Sequence, residues 1–272
     1  MVQPVQRSPG TSRPTAPLVF ITGASSGIGQ ALAWRYYQAG YTLALVARRH
    51  GDIHAWADAR GLDAQRVRVY AADVSVIDSI VGAGQQCIEE LGVPDVVIAN
   101  AGISVGMDTA ERADLDVMAQ IYATNNLGMA ASFHPFLEAM AARGSGTLVG
   151  MGSVAGIRGL PGHAAYCSSK AAVIAYCESL SGEMRGSGVQ VLTICPGYVD
   201  TPLTQRNRYA MPFLMHPDAF ADKAFAAIEE GRRYVVIPWQ MAWVARLLRV
   251  LPNAWFDRLL AGRPRKRRAS EA

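Results

Sequence analysis

The chain has 272 residues, half of them apolar, with a formal net charge of +4. That composition supplies one core of ordinary size and gives no case for a disordered or fibrous protein. The charge is local: Arg263, Arg265, Lys266, Arg267 and Arg268 face only Glu271 in the last ten residues, and the rest is neutral overall. A neutral domain with a basic tail is not a nucleic-acid surface, so no nucleic-acid partner is expected.

The first seventeen residues, rich in Pro, Ser, Thr and Gly, read as a disordered lead and lack the apolar stretch of a secretory signal. The branched run at 18–22 reads as a buried parallel strand that ends at Gly23. Helical spacing then starts at Ile28 and stops at Gly40. Between them lies Thr22-Gly23-Ala24-Ser25-Ser26-Gly27-Ile28-Gly29, a G-x-x-x-G-x-G pattern. Such glycines let the backbone turn sharply and approach a pyrophosphate, whose charge a helix N-terminus stabilises. The next strand, 42–47, ends at Arg48 and Arg49. Sites that select an unphosphorylated ribose place an acid about 20 residues past the loop. Two arginines there suit a 2′-phosphate instead, so NADP(H) is expected over NAD(H). His50 and His54, one helical turn apart, read as a solvated face, since no third metal ligand accompanies them.

Further strands are predicted at 67–71, 96–99, 146–151, 189–194 and 234–237, with helical patterns between. This alternation specifies an α/β class: one doubly wound Rossmann domain over 18–238, with a mainly seven-stranded parallel sheet and helices on both faces. Gly23, Arg48, Asp73, Asn100, Ser153 and Pro196 then fall at carboxyl ends of strands, where such sheets bind nucleotides. Cys87, Cys167, Cys177 and Cys195 contain no C-x-x-C pair, which fits reduced thiols in a cytoplasmic protein.

Tyr166 and Lys170 stand four residues apart on a helical stretch, thirteen residues after Ser153. Residues so spaced share a helix face, and an ammonium beside a phenol favours the phenolate, moving its pKa toward the working pH. Lysine occurs only at 170, 223 and 266 in this arginine-rich chain. A compact ammonium at 170 can serve a ribose and a phenol together, which a guanidinium cannot.

The set T-G-A-S-S-G-I-G at 22–29, Asp73-Val74, Asn100-Ala101-Gly102, Asn125, Ser153, Tyr166/Lys170 and Pro196-Gly197 resembles the short-chain dehydrogenase/reductases over about 18–238. The resemblance implies that Gly23, Ser25, Ser26, Gly27, Ile28 and Gly29 line the pyrophosphate and that Asp73 and Val74 hold the adenine. It implies that Asn100, Ala101 and Gly102 pack against the cofactor, while Pro196, Gly197, Val199 and Thr201 support the nicotinamide. Tyr166 would be the acid or base, Ser153 would polarise the substrate oxygen, and Lys170 would lower the phenol pKa and bind the ribose. Asn125 would hold a water linking Lys170 to solvent; Asn126 competes for that role. Gly152 stands where relatives often carry a second serine. A homodimer or homotetramer through the helices near 112–141 and 164–185 is also implied.

From 202 to 216 the alternation breaks into a long loop ending in Met211, Phe213 and Met215, expected to form an adaptable apolar wall for a hydrophobic ketone or secondary alcohol, such as a steroid-, retinoid- or acyl-like molecule. The segment 239–262 combines tryptophans, leucines and spaced arginines. It could lie in the inner membrane surface as a peripheral contact, cover the substrate site, or pack on another subunit. Residues 263–272 are expected to form a disordered basic tail. The reaction expected is reversible hydride transfer; a dinucleotide-sensing module and an epimerase or dehydratase are the alternatives.

Overall fold

The computed structural model describes residues 16–205, 207, 209–262, 265–268 and 270. The expected N-terminal lead therefore falls, up to residue 15, outside the described residues. Seven strands form one parallel sheet in the order β3-β2-β1-β4-β5-β6-β7. They are β1 (Leu18–Thr22), β2 (Thr42–Ala47), β3 (Val67–Ala71), β4 (Val96–Ala99), β5 (Gly146–Met151), β6 (Val189–Pro196) and β7 (Tyr234–Ile237). β6 runs two residues past its expected end. Proline removes a donor, but the next amide, Gly197 N, continues the ladder by donating to Ile237 O at 2.7 Å.

Alternate residues of each strand feed two cores. Leu18, Phe20, Ala44 and Val46 point to one face, where they meet Ile80, Phe133 and Phe136. Val19, Ile21, Leu43 and Leu45 point to the other, where they meet Leu32, Tyr36 and Phe220. The first face is covered by α3 (Ile77–Leu91), α5 (Gly128–Arg143) and α6 (Ala164–Glu183); the second by α1 (Gly27–Gln38), α2 (His50–Ala59) and α7 (Pro217–Glu229). Burial on both faces is why these strands read as continuous apolar runs.

α4 (Asp114–Tyr122) passes into α5 through a π-helical turn, Ala123–Leu127. A single wide turn of this kind rotates the following helix and projects one residue out of register. That residue region contains Asn125, which is buried.

α8 (Trp239–Val250) and α9 (Asn253–Leu260) follow β7 and are separated at Pro252. Within the C-terminal segment, residues 265–268 lie against the domain. Gly106 N donates to Arg267 O at 3.0 Å, and Arg268 Nε donates to Asp114 Oδ2 at 2.7 Å. The Asp114 side chain is 3% exposed, so the ion pair is shielded from water on its acidic side. Its carboxyl is held below the usual range by the Arg268 hydrogen bonds and the Asp108 amide.

Candidate active site

The site is built from strand ends. Past β1, Gly23 adopts φ +69 and Gly27 φ +56, left-handed conformations that favour glycine. A Cβ at Gly23 would sit 2.8 Å from Ala101 Cα, so the loop lies directly on the Asn100-Ala101 backbone after β4. Asn100 Nδ2 donates to Thr22 O at 3.0 Å and Ala101 N to Thr22 Oγ1 at 3.1 Å, tying the two strand ends together.

A cavity of about 390 Å³ runs along these ends. Gly23, Ser25, Ser26, Gly27 and Ile28 form one side, Arg48 and Arg49 one end, and Asp73, Val74, Asn100, Ala101 and Gly102 the floor; Thr201 closes over Gly27. The cradle has the form of a dinucleotide site, with bare backbone at a helix N-terminus for a pyrophosphate and cations at the outer end. Arg49 Nη2 reaches Ser25 Oγ at 3.5 Å and Arg48 lies 3.6 Å from Asp73, so both guanidiniums border the same opening. Burial alone would raise the Asp73 carboxyl, but hydrogen bonds from Ser75 and the Arg48 charge outweigh it and hold the group low. Gly29, Pro196 and Val199 do not line this cavity. Gly29 backs the loop against Gly23 and Asn100, and Val199 is buried in the core and bridges to Met215.

Ser153 follows β5 as the N-cap of a short 3₁₀ turn, and its Oγ accepts from Ala155 N at 3.1 Å. The same hydroxyl lies beside the Tyr166 phenol and favours its ionised form. Lys170, one turn along α6, donates to Met151 O at 2.7 Å, and its ammonium is 5.9 Å from the Tyr166 ring centre. Burial pushes the phenol up to about 12, against the pull of the Ser153 hydroxyl. Burial likewise brings the Lys170 ammonium down to about 8. In the protein alone, burial sets the direction of the phenol's shift.

Asn125 Oδ1 accepts from Ile103 N at 2.9 Å, and its Nδ2 donates to Ile103 O and Ser169 Oγ, each at 3.0 Å. Gly102 fits between this amide and Lys170: a Cβ there would stand 3.2 Å from Asn125 Oδ1 and 3.5 Å from Lys170 Nζ. Asn126 instead donates to Ser169 O at 2.9 Å. Gly152 has its own physical reason, since a Cβ at that position would meet Cys195 Sγ at 2.8 Å.

A second cavity, of about 220 Å³, opens over Ser153 and Tyr166, and Ser104 and Leu203 line both hollows. Its wall from the long loop is Leu203, Tyr209, Ala210 and Pro212. Phe213 and Met215 line a separate hollow beside α7 and β7. The wall is therefore made by the loop up to Pro212 and not by its last residues. Met241, Val244, Ala245 and Leu248 of α8 complete the apolar side, so the C-terminal extension covers this cavity. Arg158 holds it there. Its guanidinium donates to the carbonyl oxygens of Leu248 and Leu251 and to Asn253 Oδ1, and lies 3.9 Å over the Phe256 ring. This satisfies the open carbonyls at the end of α8. His163, the N-cap residue of α6, pairs with the Tyr209 hydroxyl at 3.3 Å on the same wall. Arg158, His163, Tyr209 and Lys266 carry no local signal in the sequence that marks them as site residues.

Three comparisons bear on this arrangement. The short chain dehydrogenase family model matches residues 17–211. An uncharacterised oxidoreductase of Myxococcus xanthus is 38% identical over 237 residues, covering 87% of this chain and 93% of the relative. Among solved structures, a short-chain dehydrogenase from Sphingobium yanoikuyae in complex with NADPH has a TM-score of 0.72 at 25% identity, covering 88% of this chain and 97% of that one. A second, from Burkholderia phymatum in complex with NAD, shares the fold with a TM-score of 0.78 at 24% identity, over 92% and 96% of the two chains. With the strand-end cradle, the chain belongs to the short-chain dehydrogenase/reductase family of oxidoreductases that use a nicotinamide dinucleotide.

Proposed function

We propose that this chain is an NADP(H)-dependent carbonyl reductase or alcohol dehydrogenase for a hydrophobic ketone or secondary alcohol. The observation that carries the reading is the position of Tyr166, with Ser153 and Lys170 beside it, facing the cavity that adjoins the dinucleotide cradle. The nicotinamide cofactor, when bound, supplies or accepts the hydride. Gly23 to Ile28 would hold its pyrophosphate, Arg48 and Arg49 its 2′-phosphate, and Lys170 its inner ribose.

At neutral pH a phenol near 12 keeps its proton. Tyr166 is therefore loaded to donate to a carbonyl oxygen, while the Ser153 hydroxyl orients both groups. As the proton leaves, the Lys170 ammonium stabilises the phenolate across one helical turn, and its bond to Met151 O fixes that lysine in place. In the reverse direction the same pair accepts the alcohol proton. A module that only senses dinucleotides has no use for this relay.

The outer face of the C-terminal extension supports a location. Trp239, Trp243, Leu247, Val250 and Trp255 are exposed, while Arg246, Arg249 and Arg258 beside them are also exposed. An apolar stripe edged by cations suits an anionic lipid interface, and the inner face of the same helix lines the apolar cavity. We read this face as a peripheral membrane contact; none of the helices is long and apolar enough to cross a membrane among the described residues.

The test is a panel of apolar ketones and alcohols followed at the nicotinamide absorbance with each cofactor. Turnover of apolar substrates with preference for NADPH is expected. Turnover confined to small hydrophilic sugars, or equal efficiency with both cofactors, contradicts the reading.

A further inference from the structure

The cavity over Tyr166 has walls of unlike character. Met241, Val244, Ala245 and Leu248 of α8 make one of them apolar. The long loop contributes Thr204, Asn207 and Tyr209 to the same cavity, and these polar groups differ in what they have left to offer. Thr204 Oγ1 is used inside the loop, where it donates to Val199 O at 2.5 Å. Asn207 Nδ2 donates to Met211 Sδ at 3.5 Å, and among the described residues its buried Oδ1 has no donor. This part of the loop is therefore short of donors.

The Tyr209 hydroxyl is oriented by a chain of groups. Pro161 O can only accept, so its contact with His163 Nδ1 at 3.2 Å puts the imidazole proton on Nδ1. Burial, reinforced by the Lys266 charge, keeps the ring neutral against the pull of the Pro161 bond. Nε2 is then an acceptor, and the 3.3 Å bond to Tyr209 takes the one proton of that hydroxyl. Burial first, and then the neighbouring Tyr198 and Tyr166 phenols, hold Tyr209 un-ionised, so the proton stays available to His163. What the Tyr209 oxygen has left is lone pairs. His163 caps the helix that carries Tyr166, three residues before it, so the loop oxygen is tied to the element that holds the reacting phenol. A pocket with an apolar wall and a placed acceptor selects an apolar body that carries a donor.

We propose that Tyr209 is a specificity-determining residue: its hydroxyl oxygen accepts a hydrogen bond from the substrate, and the preferred apolar ketones carry a free hydroxyl elsewhere on their body. This deepens the dehydrogenase reading and rests on the cavity over Tyr166 being the substrate site.

The test uses the full-length protein and three sets of probes: medium-chain methyl ketones bearing one hydroxyl at successive carbons, the methyl ether of each, and the parent ketone. Binding to the NADP⁺-loaded protein is measured by titration calorimetry, and kcat and KM are measured with NADPH. One of the hydroxy ketones should bind about fivefold tighter than both its ether and the parent, the equivalent of about 1 kcal/mol for one neutral hydrogen bond. The ether keeps the oxygen and lacks the proton, so it separates donation by the ligand from mere polarity. In Tyr209→Phe the hydroxy-to-ether ratio falls to about one. Tyr176→Phe, an exposed tyrosine of α6 outside the cavity, keeps the wild-type ratio. A ratio near one for every hydroxyl position in the wild type, or a ratio that survives in Tyr209→Phe, overturns the proposal. Selective binding of a hydroxy ketone with no turnover of any probe supports the Tyr209 subsite and counts against the dehydrogenase reading.

Discussion

Gly29→Ala tests whether the loop after β1 is a cradle that tolerates no side chain. The new Cβ would press into the Gly23 carbonyl and lie 2.7 Å from Asn100 Nδ2 and 2.8 Å from Gly23 C. Two of these contacts are backbone, and Asn100 is itself tied to Thr22 O and Gly23 O, so no flexible side chain end can move aside. Overpacking of this kind costs about 1–3 kcal/mol of stability. The loop must shift away from Asn100, which misplaces the amides at the start of α1. Loss of two charge-assisted bonds to a pyrophosphate is worth about 3 kcal/mol, or roughly a hundredfold in dinucleotide affinity. Gly51→Ala is the contrast: it lies exposed in α2 with nothing within 4 Å of the new Cβ. That change should stabilise the protein by about 0.5–1 kcal/mol with unaltered cofactor affinity. Urea melts and NADPH fluorescence titrations measure both. Affinity in Gly29→Ala within threefold of wild type would refute the placement of the pyrophosphate at this loop.

Other expected outcomes concern charge and surface. Arg48→Ala combined with Arg49→Ala should lower the NADPH-to-NADH efficiency ratio about tenfold, the low end for a charge-assisted bond because both guanidiniums are largely exposed; an unchanged ratio in steady-state kinetics speaks against them. Lys170 sits at about 8 in the folded protein against an ordinary 10.5, so between these values the unfolded chain binds more protons and stability rises with pH. Tyr166 acts in the opposite sense only above its ordinary 10. Urea midpoints of wild type minus Lys170→Met should therefore climb from pH 8 to 10, and parallel curves would contradict the buried ammonium. Full-length protein should float with vesicles containing phosphatidylglycerol and not with pure phosphatidylcholine. Trp243→Ser, Leu247→Ser and Trp255→Ser together should abolish flotation, and equal flotation of this variant dismisses the lipid contact.

The parts legible in the sequence are those set by local pattern. β1 and β2 are read correctly because strands buried on both faces are unbroken apolar runs between glycines, and the glycine loop announces itself by spacing. The catalytic residues are legible only as a set, since Tyr166 and Lys170 share a helix face but Ser153 reaches them through the fold. What stayed hidden depends on distant chain segments. Lys266 meets Ser104 across 162 positions, and Arg158 reaches the end of α8 across about ninety, where no periodicity can operate. The π-turn at 123–127 escapes because one extra residue in a helix barely alters its apolar spacing. Which part of the loop forms the wall is hidden for a related reason. Hydrophobicity marked Phe213 and Met215, but the path of the backbone turns Tyr209, Ala210 and Pro212 to the cavity instead.

The central claim is that the Tyr166 phenol moves the proton while hydride moves beside it. Its most direct test is Tyr166→Phe, which keeps the ring and its packing and removes only the hydroxyl that meets Ser153. Single-turnover reduction of an apolar ketone by NADPH, with the NADPH dissociation constant measured alongside, should show turnover reduced by about 10²–10⁴ and cofactor affinity within threefold of wild type. A near-normal rate in that variant would contradict the account.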